Sequence, residues 1–279
     1  MRKYSTKKWR NFVKTSSSLI YCFFVFNSYY SQTIKVKDAI GYANVSGDIS
    51  PNKARVDALN TAKITALQKA GISENINSYQ TLYSNQVNND FNQFFSSQIQ
   101  SQLEGNIKSY SIKKERIYCK NEFEIIYEVT IDAEVIKYKS EIDNRFQVNV
   151  TGIKGTYTVG DYFNFNLITT NDSYLTIFDL LDTTAYLLYP QKTNNSAFVI
   201  NKNKDLKFPF EGEMQANLSN DKNENEIHRL LLVFTKKDYP YILYDDKYIS
   251  SSENVINWLN SIEPDQKNFQ YSSFIISPK

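Results

Sequence analysis

The stretch Ser50–Gly71, which reads SPNKARVDALNTAKITALQKAG, decides the fold of the first half of the chain. Ser50 and Pro51 are typical of a helix start, because serine caps free N–H groups and proline suits the first helical position. Gly71 is typical of a helix end. Between them, alanine recurs at every fourth position and two leucines flank the stripe: Ala54, Ala58, Ala62, Ala66, Ala70, Leu59 and Leu67. We therefore predict a helix whose flat alanine face packs on a sheet of the same domain, in preference to a groove for a partner helix.

Strand patterns lie on both sides of this helix. A short strand is predicted at Ile40–Ser46, before the helix, and a second, more polar helical stretch runs from Tyr79 to Leu103 and ends at Gly105. Two alternating runs follow, at Ile107–Ile117 and Phe123–Val135, and alternation gives a strand one buried face and one wetter face. The order strand, helix, helix, strand, strand predicts a small α+β layer domain over residues 33–139.

The second half of the chain, residues 146–279, is rich in short strand patterns separated by turn residues. The turn signals include Gly160-Asp161, Asn171–Ser173 and Pro190, while Lys192–Asp205 and Asn217–Glu226 are predicted polar loops. Short strands at this spacing are typical of an antiparallel β-sandwich. The segment Glu141–Arg145 joins the two predicted domains. The predicted fold class is thus α+β, with a layer domain followed by a sandwich-like domain.

The sandwich-like domain is predicted to carry a C-terminal helix. Ser250 and Glu253 have the spacing of a capping box. Four apolar residues fall on one face of this helix, and a proline stops it: Val255, Trp258, Leu259, Ile262 and Pro264. A last strand is predicted at Phe274–Ile276.

Residues 1–31 have the three-part layout of a secretory signal peptide. Met1–Lys14 is basic, Leu19–Phe26 is apolar, and the following residues are polar, with cleavage predicted after Ser31. The apolar run is shorter than the roughly 20 residues that span a membrane. Lipidation at Cys22 is disfavoured, because bulky Tyr21 precedes it and it lies inside the apolar run. A retained anchor and an aromatic helix packed on the core are minor alternatives.

The charge balance fits export to the periplasm or cell envelope. The leader holds six basic residues and no acidic ones, so its removal leaves 26 basic residues against 30 acidic ones. A mildly acidic protein lacks the basic footprint of nucleic-acid binding, and we expect no nucleic-acid partner. Cys119 would be the only cysteine left, which excludes an intrachain disulfide.

Candidate catalytic residues are few. His228 is the sole histidine, so Cys119 and His228 are the only nucleophile–base pair, and without a family motif around either we expect that they do not meet. Asp172, Asp179 and Asp182 could be paired carboxylates or calcium ligands, but turn chemistry is favoured for them. We predict no catalytic residue, no metal site and no cofactor.

Two other patterns have a functional alternative. Gly152 and Gly155 are too close together for a phosphate-binding loop and lead into no helix. Aromatic residues cluster at Tyr186–Tyr189 and Tyr239–Tyr244. A glycan- or peptide-binding surface is conceivable there, and packing within strands is favoured.

The first predicted domain resembles the small envelope domain shared by the N-terminal region of the flagellar assembly protein T and a family of small lipoproteins. The resemblance covers most of residues 38–138. It rests on Gly41-Tyr-Ala, the alanine helix Ala54–Ala70, Gly105 before Ile107, and the closing run Tyr127–Val135. It implies a structural part of the cell envelope, and the flagellar role is not carried over.

The second predicted domain resembles a bacterial domain of unknown function over roughly residues 146–260. The matching motifs occur in order: Tyr157-x-x-Gly-Asp161, Phe163-x-Phe-x-Leu167, Asn171–Leu175, Leu187–Pro190, Phe208-Pro209 and Val233–Lys237. Such domains occur in exported proteins and beside kinase-like or caspase-like modules. The resemblance implies a fold and supplies no catalytic residue.

These observations predict an exported, non-enzymatic envelope protein that acts as a scaffold, assembly or protein-interaction module. Its expected partner is another envelope protein, with self-association and peripheral outer-membrane association as further expectations. The alternative is a periplasmic ligand-binding protein or hydrolase that uses the sandwich loops, and a sensor or adaptor is a third class. A flat apolar patch or open sheet edge favours the scaffold, and a deep pocket with convergent carboxylates favours the enzyme.

Overall fold

The computed structural model of this chain describes residues 32–45, 49–72, 76–88, 95, 103–122, 124–181, 183–190, 199–219, 224–241 and 248–279. Within these ranges the helices are α1 (Pro51–Lys69), α2 (Ile76–Asn88) and α3 (Ser252–Ser261). The strands are β1 (Gln32–Val45), β2 (Gly105–Cys119), β3 (Ile125–Lys137), β4 (Val148–Thr151), β5 (Thr156–Thr158), β6 (Phe165–Thr169), β7 (Ser173–Leu181), β8 (Thr184–Tyr189), β9 (Val199–Ile200), β10 (Leu206–Phe208), β11 (Glu226–Thr235), β12 (Ile249–Ser251) and β13 (Lys267–Ser277). The predicted α+β class is confirmed.

The first half forms an antiparallel sheet with the order β1-β3-β2, and α1 packs on it. The chain order of strand, helix, helix, strand, strand is the predicted one. Strand β1 begins at Gln32 instead of Ile40, β2 extends two residues beyond its predicted bounds at each end, and β3 is shifted by two residues from its predicted range. Pairing with a neighbouring strand can hold residues in the extended conformation even where their own sequence pattern does not indicate a strand.

Helix α1 begins and ends at the predicted residues. The Ser50 hydroxyl accepts a hydrogen bond from the Lys53 amide at 3.2 Å. At the other end, Gly71 has a φ of +81°, and the Ile72 amide donates to the Leu67 carbonyl at 3.0 Å. This is the Schellman arrangement, which needs a left-handed residue after the helix and therefore favours glycine.

The alanine stripe lets α1 lie against the backbone of β1. Ala58 and Ala62 are fully buried beneath Gly41 of β1. A Cβ added at Gly41 would lie 2.1 Å from the Ala58 carbonyl oxygen, closer than any real contact. The predicted intradomain packing of the stripe is therefore what the structure has, and Gly41 is required by backbone proximity.

The second half is a sandwich of two sheets. A seven-stranded sheet has the order β12-β8-β7-β11-β13-β5, with β9 added beside β7, and a three-stranded sheet has the order β10-β6-β4. Aromatic and aliphatic residues from both sheets fill one core, among them Phe165, Phe208, Phe234 and Phe274. The prediction of an antiparallel sandwich needs one correction: β5 pairs with β13 in parallel.

The C-terminal region differs from its prediction at two points. The helix cap is Ser251, whose hydroxyl accepts from the Asn254 amide at 3.1 Å, and not Ser250. The helix is followed by β13, an 11-residue strand where only Phe274–Ile276 was predicted. The first half of β13 alternates polar residues with Phe269 and Tyr271, a pattern that the prediction did not take into account, and it pairs with β11 along ten positions.

The two halves share a hydrophobic cluster. It contains residues of the layer, such as Ala66 and Val135, together with Leu180 of β7 and Leu259 of α3. Hydrogen bonds also cross the join, including one from the Tyr138 hydroxyl to the Asn260 carbonyl at 2.6 Å. The division into domains 33–139 and 146–279 stays a prediction.

Several predictions fall outside the described residues. They are the signal peptide over residues 1–31 with Cys22, and residues 89–94 and 96–102 of the second helical stretch. The predicted polar loop Lys192–Asp205 is described only from Val199, where it contributes the two-residue strand β9 to the larger sheet.

Candidate functional site

His228 lies in a buried charged cluster inside the sandwich. Its side chain is 4% exposed, and its Nδ1 lies 2.6 Å from Asp179 Oδ2. On the other side, Nε2 lies 3.3 Å from Glu226 Oε2. The ring stacks on Phe274 at a centroid distance of 5.5 Å. Burial lowers the pKa of His228, but the hydrogen bond and charge of Asp179, with those of Glu226, outweigh it and raise the pKa above 6.5.

The structure separates the one predicted nucleophile–base pair. Cys119 is the exposed last residue of β2 in the three-stranded sheet, whereas His228 is buried in β11 of the seven-stranded sheet. The imidazole nitrogens face carboxylates, which are acceptors and not nucleophiles to be activated. The cluster therefore has the arrangement of an internal ion pair.

The prediction that Asp179 is a turn residue is wrong. Asp179 lies within β7, opposite Leu230 of β11, and there it holds His228 and also accepts from the Arg229 amide at 3.2 Å. Asp172 does lie at a turn, where its carboxylate accepts from the Lys202 amide at 2.8 Å. Asp182 is outside the described residues. Sequence reasoning missed the Asp179–His228 pair because 49 residues separate its members.

The glycine and aromatic patterns have structural roles. Gly152 has a φ of +94° between β4 and β5, and the strand β5 follows instead of a helix. Tyr189 packs edge-to-face against Phe208 and Phe210. Of the second cluster, Tyr239 to Tyr241 are described, and the Tyr241 ring packs edge-to-face on Phe178 at 4.9 Å between centroids. Core packing, the favoured interpretation, fits these rings.

The outer half of β2 is an exposed sheet edge. Strand β2 is the last strand of its sheet, and its side chains are exposed from Lys108 to Ile117. Three large apolar side chains stand out along it: Tyr110 is 37% exposed, Ile112 is 39% exposed and Ile117 is 53% exposed. In β3, the residues paired with them are Ala133, Ile131 and Tyr127, which lie on the face of β3 that the helix covers. We call these three residues the edge row.

Charged residues along β2 are mostly paired within the chain. Lys113 Nζ lies 2.7 Å from Asp38 Oδ1, and Arg116 forms a two-point contact with Glu128 at 2.9 and 2.6 Å. Paired charges on an edge strand oppose unselective strand pairing. The edge row therefore lies on a surface whose charged residues are mostly paired within the chain, including Glu115, which lies 2.7 Å from Arg55 of α1.

A small polar cavity lies where α1, α2, β2 and α3 meet. Its volume is about 190 Å³, and polar side chains from all four elements line it: Lys63, Tyr83, Asn106, Tyr110, Glu253 and Asn260. Three of the residues that line it have a buried polar atom without a hydrogen-bond partner among the described residues: Tyr83 Oη, Asn106 Nδ2 and Asn260 Oδ1. An unsatisfied buried polar group costs roughly 1–3 kcal/mol, so three in one cavity are unusual.

A second, more apolar cavity of about 370 Å³ lies nearby, between Phe95, Tyr138 and β13. Lys267 reaches into this region, and its Nζ donates to the Leu259 carbonyl at 2.6 Å. Burial lowers the pKa of Lys267 to about 7, only partly opposed by the charge of Glu263. Phe95 stacks on Tyr271 at 5.1 Å between centroids, which makes this cavity largely aromatic.

The described residues contain no group of three or more His, Cys, Asp and Glu side chains that could hold a metal ion. None of the helices in the described ranges combines the length and apolar character needed to cross a bilayer. No protein-family model matches the chain, and no curated protein matches it. Both resemblances therefore stay expectations from the sequence.

Proposed function

We propose that this chain is an exported, non-enzymatic envelope protein that binds another envelope protein through the open edge of its three-stranded sheet. The sequence supports export through the basic and apolar blocks of residues 1–31. The edge row Tyr110, Ile112 and Ile117 supports binding, since a row of exposed apolar side chains along an edge strand is typical of an interaction surface.

The proposed mode of binding is strand addition. An extended segment of the partner would pair with the free backbone groups of β2 and place alternate side chains against the edge row. Main-chain hydrogen bonds would supply affinity, and the apolar row would supply register, because a one-residue slip turns every side chain to the other face. The internal ion pairs of Lys113 and Arg116 would remain in place.

Site-directed photocrosslinking tests this proposal. A photoreactive phenylalanine analogue at Ile117 should capture a discrete partner in intact cells, and the same analogue at Ile227 should not. Ile227 is a matched control because it is 51% exposed and lies in β11 of the other sheet. A product of two copies of this chain would identify self-association at the same edge.

A charge introduced into the edge row gives a second readout. Ile117→Lys should abolish the crosslink from a neighbouring analogue at Ile112, because a lysine amine cannot be buried cheaply against a partner strand. Ile227→Lys is the control and should leave capture intact. Equal capture from Ile117 and Ile227, or capture that Ile117→Lys leaves unchanged, would contradict the proposal that the partner binds at the edge of β2.

Export has its own test. Fractionation of cells that make the full chain should place it outside the cytoplasm, with a mature N-terminus at Gln32. Cys22→Ala should leave membrane partitioning unchanged. A full-length cytoplasmic product would contradict export, and release from the membrane by Cys22→Ala would show lipidation.

A second candidate function, ligand binding, is favoured by the polar cavity. This differs from the predicted alternative in its location, since the cavity lies where the two halves meet and not among the sandwich loops.

A further inference from the structure

The polar cavity is bounded by both halves of the chain. Lys63 of α1, Tyr83 of α2 and Asn106 of β2 come from the first half, whereas Glu253 and Asn260 come from α3 in the second half. A molecule held there would contact elements that are far apart in sequence. Its binding would therefore strengthen the join between the halves.

Three residues that line the cavity have unused hydrogen-bonding capacity. Tyr83, Asn106 and Asn260 are 4%, 5% and 2% exposed, and one polar atom of each has no partner among the described residues. The Tyr83 hydroxyl and the Asn106 amide nitrogen are donors, and the Asn260 amide oxygen is an acceptor. A complementary molecule must therefore both accept and donate hydrogen bonds.

Lys63 adds a buried cation. It is 9% exposed, and its Nζ lies 4.7 Å from the Tyr110 ring centroid and 5.3 Å from that of Tyr83. Within the described residues it forms no ion pair with a carboxylate. Burial lowers its pKa, while the charge of Glu253 raises it. A buried cation without an anion is costly, and an anionic group entering the cavity would remove that cost.

The opposite charge lies on the exposed side of the cavity. Glu253 lines the cavity, yet its side chain is exposed. A cationic group of a bound molecule would be attracted by Glu253 and could donate to Asn260. The cavity thus has a positive charge, Lys63, at its buried end and a negative charge, Glu253, at its solvent-exposed end.

We propose that this cavity binds a small zwitterion of the size of a free amino acid, with its carboxylate at Lys63, Asn106 and Tyr83 and its ammonium group toward Asn260 and Glu253. The cavity volume of about 190 Å³ is enough for several water-sized groups, which suits a small amino acid. This site is separate from the edge row's proposed partner surface, although Tyr110 borders both.

Calorimetric titration of the full chain tests the site. The probes are glycine, L-alanine and L-serine, with propionate lacking the ammonium group and L-alaninamide lacking the carboxylate. Saturable binding of an amino acid is expected. L-Alaninamide, which lacks the carboxylate, should bind about 10- to 100-fold more weakly than L-alanine. This is the range for a lost hydrogen bond to a charged group.

Matched variants locate the binding. Lys63→Met should weaken amino-acid binding about 10- to 100-fold, and Tyr83→Phe should weaken it about 3- to 10-fold, because each removes contacts to the carboxylate. Lys53→Met is the control, since Lys53 is an exposed lysine of the same helix. Circular dichroism melting confirms that each variant is folded.

Three results would overturn the proposal. One is the absence of saturable binding by all three amino acids at millimolar concentration, which would mean that the cavity holds water only. Another is equal binding by Lys63→Met and Lys53→Met. The third is equal binding of L-alanine and L-alaninamide. None of these results bears on photocrosslinking at Ile117, so the two proposals fail separately.

Discussion

Two buried basic side chains in this molecule, His228 and Lys63, have opposite electrostatic surroundings. His228, in the sandwich, lies between Asp179 at 2.6 Å and Glu226 at 3.3 Å. Lys63, at the join of the halves, lies between two tyrosine rings and forms no ion pair among the described residues. A buried charge satisfied by its own chain is a structural element, whereas the unpaired charge of Lys63 is the basis of the proposed amino-acid site. Accordingly, the pKa of His228 is raised and the pKa of Lys63 is lowered.

The largest expected effect is the loss of the sandwich ion pair. Asp179→Asn should lower the free energy of unfolding by about 3 kcal/mol at acidic to neutral pH, because it leaves the buried imidazolium without its main partner. Guanidinium denaturation measures this change. Asp205→Asn, at an exposed aspartate, is the control and should lie within about 0.5 kcal/mol of the wild type. Equal midpoints for the two variants would contradict the structural role of the cluster.

Lys267 extends the comparison to a second lysine that forms no ion pair among the described residues and donates only to the Leu259 carbonyl. Its pKa is lowered to about 7 from 10.5, so between these values the unfolded chain binds one more proton than the folded chain. Stability from this group therefore rises with pH across that window. Lys267→Met should raise the free energy of unfolding by about 1–2 kcal/mol below pH 7, and the gain should shrink as pH rises. Denaturation at several pH values checks this, with exposed Lys207→Met as the control. A gain that does not depend on pH would contradict it.

A smaller gain is expected at Lys63 itself. Lys63→Met should raise the free energy of unfolding by about 1 kcal/mol in the absence of added ligand, because an apolar side chain replaces an unpaired buried charge. Lys53→Met should change it by less than about 0.5 kcal/mol. Thermal denaturation without and with L-alanine separates this stability effect from binding. Destabilisation by Lys63→Met would indicate that the ammonium group is satisfied within the fold.

The smallest effect concerns Glu226, the more distant carboxylate of the sandwich cluster. Glu226→Gln should lower the pKa of His228 toward 6.5 and cost about 0.5 kcal/mol. In the wild type the folded pKa is raised, so His228 contributes stability below pH 6.5 that is lost as pH rises through the folded pKa. Because the chain has one histidine, its imidazole proton resonances titrate without overlap in NMR. An unchanged midpoint would show that Asp179 alone sets the pKa.

Local chemistry made much of the first half predictable. Ser50, Pro51 and Gly71 act through hydrogen bonds to residues only a few positions away, so the bounds of α1 follow from the sequence. The alanine stripe likewise predicts close packing on a sheet, and Gly41 supplies the matching surface. Strand existence was also predictable, since alternation is a local signal.

The site features that the sequence did not predict depend on pairing between strands and helices that are far apart in the chain. The register that sets Asp179 beside His228 depends on how β7 aligns with β11, and neither strand's own pattern encodes it. The polar cavity depends on α3 reaching β2 across roughly 150 residues of chain. Lys63 follows Ala62 on α1, and only the approach of α3 and α2 buries it. Non-local contacts of this kind were the source of each error about a site residue.

The position of β13 has a consequence for the order in which the protein matures. Residues 267–277 lie between β11 and β5, and Phe274 and Ile276 belong to the sandwich core. The core of the sandwich therefore stays incomplete until that segment has left the ribosome. Because β13 lies inside the seven-stranded sheet, the second half cannot complete its sheet or its core without this segment.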